Sequence, residues 1–89
     1  MATITTQVEY RKTGDAHYFF GRDRLSTGVI IANADFPTAL KDLKKQLKDS
    51  LEMADVRGTP KCTLNDADLE KQATAMGHMM TLWLVDSFS

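Results

Sequence analysis

The chain has 89 residues, 43% of them hydrophobic and 26% charged, a balance that predicts one small globular domain spanning residues 1–89 and excludes a disordered chain. A net charge of -1 excludes a uniformly polybasic nucleic-acid or membrane binder. The charge is uneven: residues 1–34 and 35–61 each carry +1 and residues 62–89 carry -3, so the acidic third is also the most apolar.

Residues 3–11 read as a strand, because Ile4, Thr6, Val8 and Tyr10 alternate with Thr5, Gln7, Glu9 and Arg11. Lys12-Thr13-Gly14-Asp15 predicts a turn, and residues 16–22, with His17-Tyr18-Phe19-Phe20, a second strand of the same hairpin. Asp23-Arg24-Leu25-Ser26 is a further turn, and residues 27–32, carrying Val29-Ile30-Ile31, a third strand.

A helix follows from Asp35 or Thr38, either a possible N-cap, with Pro37 tolerated in its first turn. Leu40, Leu43, Leu47 and Leu51 fall within roughly 80° of helical arc and predict the face that lies on the sheet. The helix is expected to reach Met53 or Ala54 and to stop at Arg57-Gly58-Thr59-Pro60.

The last segment starts at Thr63 or Asn65, and Asp66, Asp68 and Glu70 suit the first turns of a helix. Two readings fit the rest of this segment. One is a single helix over 65–87, with Leu69, Ala73, Met76, Met80, Trp83 and Leu84 on one face. The other is a helix to Gly77 and then a strand through Thr81-Leu82-Trp83-Leu84-Val85. The stripe continues in phase across Gly77, which favours the helix. The expected fold is therefore α+β: a three-stranded antiparallel sheet under a long amphipathic helix and a second, C-terminal helix, in the order β-β-β-α-α, with a C-terminal strand as the alternative.

Three surfaces are candidates for function. Met79, Leu82, Val85 and Phe88 lie outside the C-terminal stripe, where apolar excess predicts a dimer seam or a partner-binding face. Lys41, Lys44, Lys45 and Lys48 form a basic strip beside the leucines, suited to phosphates or an acidic protein, or simply to solvent with stems over the core edge. Arg22, Asp23 and Arg24 make a charged loop tip able to grip a carboxylate or phosphate, or to serve as a soluble turn.

Chemistry is harder to find. Cys62 with His17 or His78 has the residue types of a thiol nucleophile and base, but no local signature joins them. Asn65, Asp66 and Asp68 lack the glycine and terminal glutamate of an EF-hand loop, and helix capping explains them better. His78, Met79 and Met80 have no second His or Cys at ligand spacing. Gly14, Gly21 and Gly28 sit at turns and strand ends and form no phosphate-cradling loop. No catalytic residue, metal or cofactor is expected.

A single cysteine and the absence of a basic, then apolar, start predict a reducing cytoplasmic setting, with no membrane anchor. The run from Tyr18 through Val29-Ile30-Ile31 to Ala39-Leu40-Lys41 is similar in its strand–strand–helix rhythm to the HicB-type antitoxin domain. The Pro-x-Leu-Pro-Gly-Cys loop of that pattern is missing, with Asp35-Phe36-Pro37 in its place, and no family is assigned. The expected function is a small non-enzymatic protein-binding module, an inhibitor or adaptor acting as a homodimer. Size and lack of motifs associate it with accessory proteins of phages and mobile elements. The alternative is a nucleic-acid-binding, antitoxin-like regulator using the lysine strip.

Overall fold

The structure is a computed structural model that describes residues 2–87. Its elements run β1 (Ala2–Thr13), β2 (Ala16–Gly21), β3 (Ile30–Asn33), α1 (Phe36–Met53), β4 (Lys61–Cys62), α2 (Asp66–Met76) and β5 (His78–Ser87). All strands join one antiparallel sheet in the order β3-β2-β1-β5-β4, with β1 at its centre. The α+β class holds, but the sheet has five strands rather than three and the order is β-β-β-α-β-α-β.

The C-terminal segment is the main correction. Helix α2 stops at Gly77, whose φ of 72° is the left-handed conformation glycine adopts without a Cβ penalty. Its N–H closes the helix on the Ala73 carbonyl at 2.8 Å, and its own carbonyl accepts from Lys12 N–H at 2.8 Å, steering the chain into β1. Beyond it the side chains alternate: Thr81, Trp83 and Val85 are buried, while Met80 and Leu82 are exposed. The period-two pattern was hidden because both faces of β5 carry apolar residues.

The other elements follow from their local chemistry. Asp35 caps α1 by accepting from Thr38 N–H, and Asn65 caps α2 by accepting from Asp68 N–H. Leu43, Leu47 and Leu51 are fully buried and Leu40 nearly so. Helix α1 ends at Met53, ahead of Gly58, because Asp55 takes the left-handed conformation (φ 61°) and Val56 N–H reaches back to the Leu51 carbonyl at 2.8 Å.

Both helices cover one face of the sheet. Val8, Tyr10, Phe19, Ile31, Trp83 and Val85 meet the leucines of α1 and Leu69 and Ala73 of α2 in one core. Its buried polar atoms are paired, as low dielectric demands. Trp83 Nε1 donates to Thr81 Oγ1 at 2.9 Å, which donates to the Val8 carbonyl at 2.7 Å. Tyr10 Oη and His17 Nδ1 lie 2.6 Å apart, and burial raises the Tyr10 phenol above its ordinary pKa, with Glu70 adding to the effect.

The loop between β2 and β3 is equally built. Burial pushes the Asp23 carboxyl up, but hydrogen bonds from Thr6 Oγ1 (2.6 Å), Gln7 N–H (2.8 Å) and Leu25 N–H (3.0 Å), with Ser26, hold it below the usual carboxylate range. Gly21 lets this loop fold tight: a Cβ there would lie 1.5 Å from the Ser26 carbonyl oxygen.

Candidate functional site

The face of the sheet opposite the helices carries no layer among the described residues. The strand register arranges it in rows. Ala32, Tyr18, Arg11 and His78 form the first, and Ile30, Phe20, Glu9 and Met80 the second. Gln7 and Leu82 form the third, Thr5, Leu84 and Lys61 the fourth, and Thr3 and Asp86 the last. Ile30 is 69% exposed, Met80 45% and Leu82 36%. Tyr18 and Phe20 stack with centroids 6.0 Å apart and planes 4° from parallel. Large apolar side chains thus stand together where a solvated sheet face would carry polar ones.

Glu9 sits at the centre of this surface, its side chain only 10% exposed. His78 Nε2 lies 2.6 Å from Oε2, Arg11 donates to the same oxygen at 3.0 Å, and Arg22 Nε lies 3.3 Å from Oε1. The His78 hydrogen bond holds the Glu9 carboxyl below its ordinary pKa; burial opposes this, and Arg11 and Arg22 add to the lowering. The three partners come from the same strand, from the β2–β3 loop and from β5, so tertiary structure alone assembles the cluster. A cleft of about 410 Å³ lies beside it, between Arg11, Arg22, Phe20 and Ile30. A carboxylate saturated by three donors is a holding device: it orients two guanidinium groups, each still more than half exposed, within an apolar surround.

The four C-terminal candidates separate. Leu82 lies on the uncovered face; Val85 is fully buried in the core, and Met79 is half-buried against it. Phe88 lies outside the described residues. Met79 and Val85 thus point to the face opposite Leu82, because in a strand odd and even positions point to opposite faces.

The lysine strip lies on the helix layer. Lys44 is bonded to Asp66 at 2.9 Å, bridging α1 and α2, while Lys41, Lys45 and Lys48 are exposed. A groove of about 440 Å³ runs between the helices, with Phe36 and Leu40 in its lining and Lys41 and Glu70 among its charged residues. Of the loop tip, Arg22 turns to Glu9, Asp23 turns inward to hold the loop, and Arg24 is exposed.

Cys62 is a free, half-buried thiol on β4 opposite Trp83. His17 is bonded to Tyr10 and His78 to Glu9, so the structure joins neither imidazole to the thiol. Among the described residues no three His, Cys, Asp or Glu side chains converge as metal ligands, and no helix is long and apolar enough to cross a membrane.

Sequence reasoning missed Tyr18, Phe20, Ile30, Met80 and Leu84 as one surface, and Glu9 as its centre. One signal was present: His17-Tyr18-Phe19-Phe20 is aromatic on both faces of its strand, which an outward face in water does not require. Comparison with protein-family models, curated proteins and solved structures finds no match for this chain.

Proposed function

We propose that this chain is a small non-enzymatic protein-binding module, an inhibitor or adaptor, and that the uncovered sheet face is its contact surface. The observation that carries this reading is the cluster of Tyr18, Phe20, Ile30, Met80, Leu82 and Leu84 around the Glu9-centred charges. Aromatic, Met and Arg side chains are the residues enriched in protein interfaces, and anchors near the centre of a patch contribute most of the binding energy. The saturation of Glu9 by Arg11, Arg22 and His78 fits recognition better than catalysis, since a carboxylate with three donors is a poor base.

The test is site-specific photo-crosslinking. A photoreactive residue at position 82 is expected to give polypeptide adducts, and the same group at position 48, on the helix layer, to give none. Adducts at position 48 alone would move the binding surface to the lysine strip and overturn this reading.

A further inference from the structure

Resting on the reading of the sheet face as a protein contact surface, we infer that its occupant is a second copy of this chain. The two copies pack sheet against sheet about a two-fold axis that crosses the strands at the Gln7–Leu82 row.

The size of the surface fits. The Cα atoms extend 42 × 21 × 19 Å. The 12 residues of β1 account for the long dimension, at about 40 Å, and five strands at about 4.8 Å spacing for one of the shorter ones. The strands are of unequal length, and their 34 residues, at about 3.3 Å of rise and 4.8 Å of spacing, cover on the order of 540 Å² per copy, so a pair would bury about 1,100 Å², just above the roughly 1,000 Å² that a specific interface clears. Stacked sheets pack about 10 Å apart with their strands roughly 30° from parallel, which suits two uncovered faces of this kind.

Charge selects the second copy and the direction of the axis. Arg11, Arg22 and Lys61 stand on the face with Glu9 and Asp86, and His78 stands beside Arg11. These charges are opposite in sign across the Gln7–Leu82 row: Arg11 lies two rows to one side and Asp86 two rows to the other, and Glu9 lies one row to one side and Lys61 one row to the other. An isologous interface matches each row to its symmetry mate. An axis across the strands lays Asp86 of one copy on the Arg11–His78 row of the other, and Lys61 with Leu84 on the Glu9–Met80 row. Leu82 then meets Leu82 at the axis. An axis along the strands would instead lay Arg11 on Arg11, a like-charge contact that opposes association. Pairing in this way leaves both helix layers outward, each with Lys41, Lys45 and Lys48 free.

Sedimentation velocity across a wide concentration range tests the proposal. The wild-type chain is expected to sediment as a dimer of the 9.9 kDa chain at micromolar concentration. Leu82→Glu and Met80→Glu are each expected to raise the dimer Kd about tenfold or more. Both positions are exposed in the single chain, and circular dichroism checks that each variant is folded. Lys48→Glu is expected to leave the dimer unchanged. Asp86→Lys is expected to weaken it, less so at high salt. A wild-type chain that stays monomeric to about 0.5 mM, where a Kd of ordinary protein pairs would be exceeded, overturns the second-copy proposal and leaves the sheet-face reading to the crosslinking test. A dimer that survives both Leu82→Glu and Met80→Glu pairs through another surface; it overturns the second-copy proposal and likewise leaves the sheet-face reading to the crosslinking test. A dimer lost in those variants but unmoved by Asp86→Lys overturns the axis across the strands.

Discussion

His78 Nε2 lies 2.6 Å from a carboxylate oxygen of Glu9, tying the start of the last strand to the middle of the first across 69 positions of sequence. The contact lies on the uncovered side of the sheet, where Arg11 and Arg22 complete the cluster. It makes one acidic residue the organiser of a surface that composition alone would describe as a solvated strand face.

Glu9 therefore links stability to pH. Its folded pKa is lowered, first by the His78 hydrogen bond, so its contribution is present above the unfolded value of about 4.3 and is lost as pH falls through the folded value. Glu9→Gln is expected to lower the denaturation midpoint at neutral pH. The gap from wild type should close on acidification through the carboxylate range. A gap independent of pH would remove ionised Glu9 from the stability of the fold.

Two glycines separate steric from conformational need. Gly21→Ala places a Cβ 1.5 Å from the Ser26 carbonyl oxygen, which the β2–β3 loop cannot accommodate, and is expected to cost more than about 4 kcal/mol. Gly77→Ala meets nothing within 4 Å but holds φ at 72°, and is expected to cost about 1–2 kcal/mol. Urea denaturation of the two variants measures both; equal costs would contradict the assignment.

Trp83 closes the core beneath both helices and is fully buried. Trp83→Ala is expected to cost about 3–5 kcal/mol and to lower Tm by about 12 °C or more. Trp83→Phe retains much of the volume but removes the donor to Thr81 Oγ1, and is expected to cost about 1–3 kcal/mol. Calorimetry on the pair distinguishes packing from hydrogen bonding; a phenylalanine variant as unstable as the alanine variant would make the hydrogen bond dominant.

The cap of α2 is a smaller device. Asn65 accepts from Asp68 N–H at 2.8 Å and its Nδ2 donates to Asp68 Oδ2 at 3.1 Å; Asn65→Ala is expected to cost about 1 kcal/mol, while Asn65→Ser, which keeps a capping oxygen without adding a charge beside Asp68, costs less. Amide hydrogen exchange across Asp66–Met76 should rise in the alanine variant and not across α1. Uniform exchange changes would mean that the cap acts on the whole domain.

Much of the architecture is local and therefore legible in the chain. The period-two run of β1, the leucine stripe of α1 and the caps of both helices are set by neighbours a few residues apart; the run and the stripe appear where the sequence placed them, and each cap falls on one of the two positions the sequence offered, Asp35 rather than Thr38 and Asn65 rather than Thr63. The β2–β3 loop was legible as a turn, but its content was not: Asp23 reads as a solvated tip and is instead held by Thr6 and Gln7, contacts sequence distance conceals.

The sequence by itself determined an α+β domain, the order of its first three strands and first helix, and the face of α1 that is buried, because periodicity and capping depend on the chain's own spacing. Only the tertiary structure decided that residues 78–87 pair with β1 as a strand, since apolar residues on both sides of that segment satisfy helical and extended periods alike. That pairing brings His78, Met80, Leu82 and Leu84 beside Glu9, Phe20 and Arg11, and so creates a surface whose members lie at opposite ends of the chain. Register between strands is a long-range choice, governed by which residues share the core, and the uncovered face is what that choice leaves on the other side.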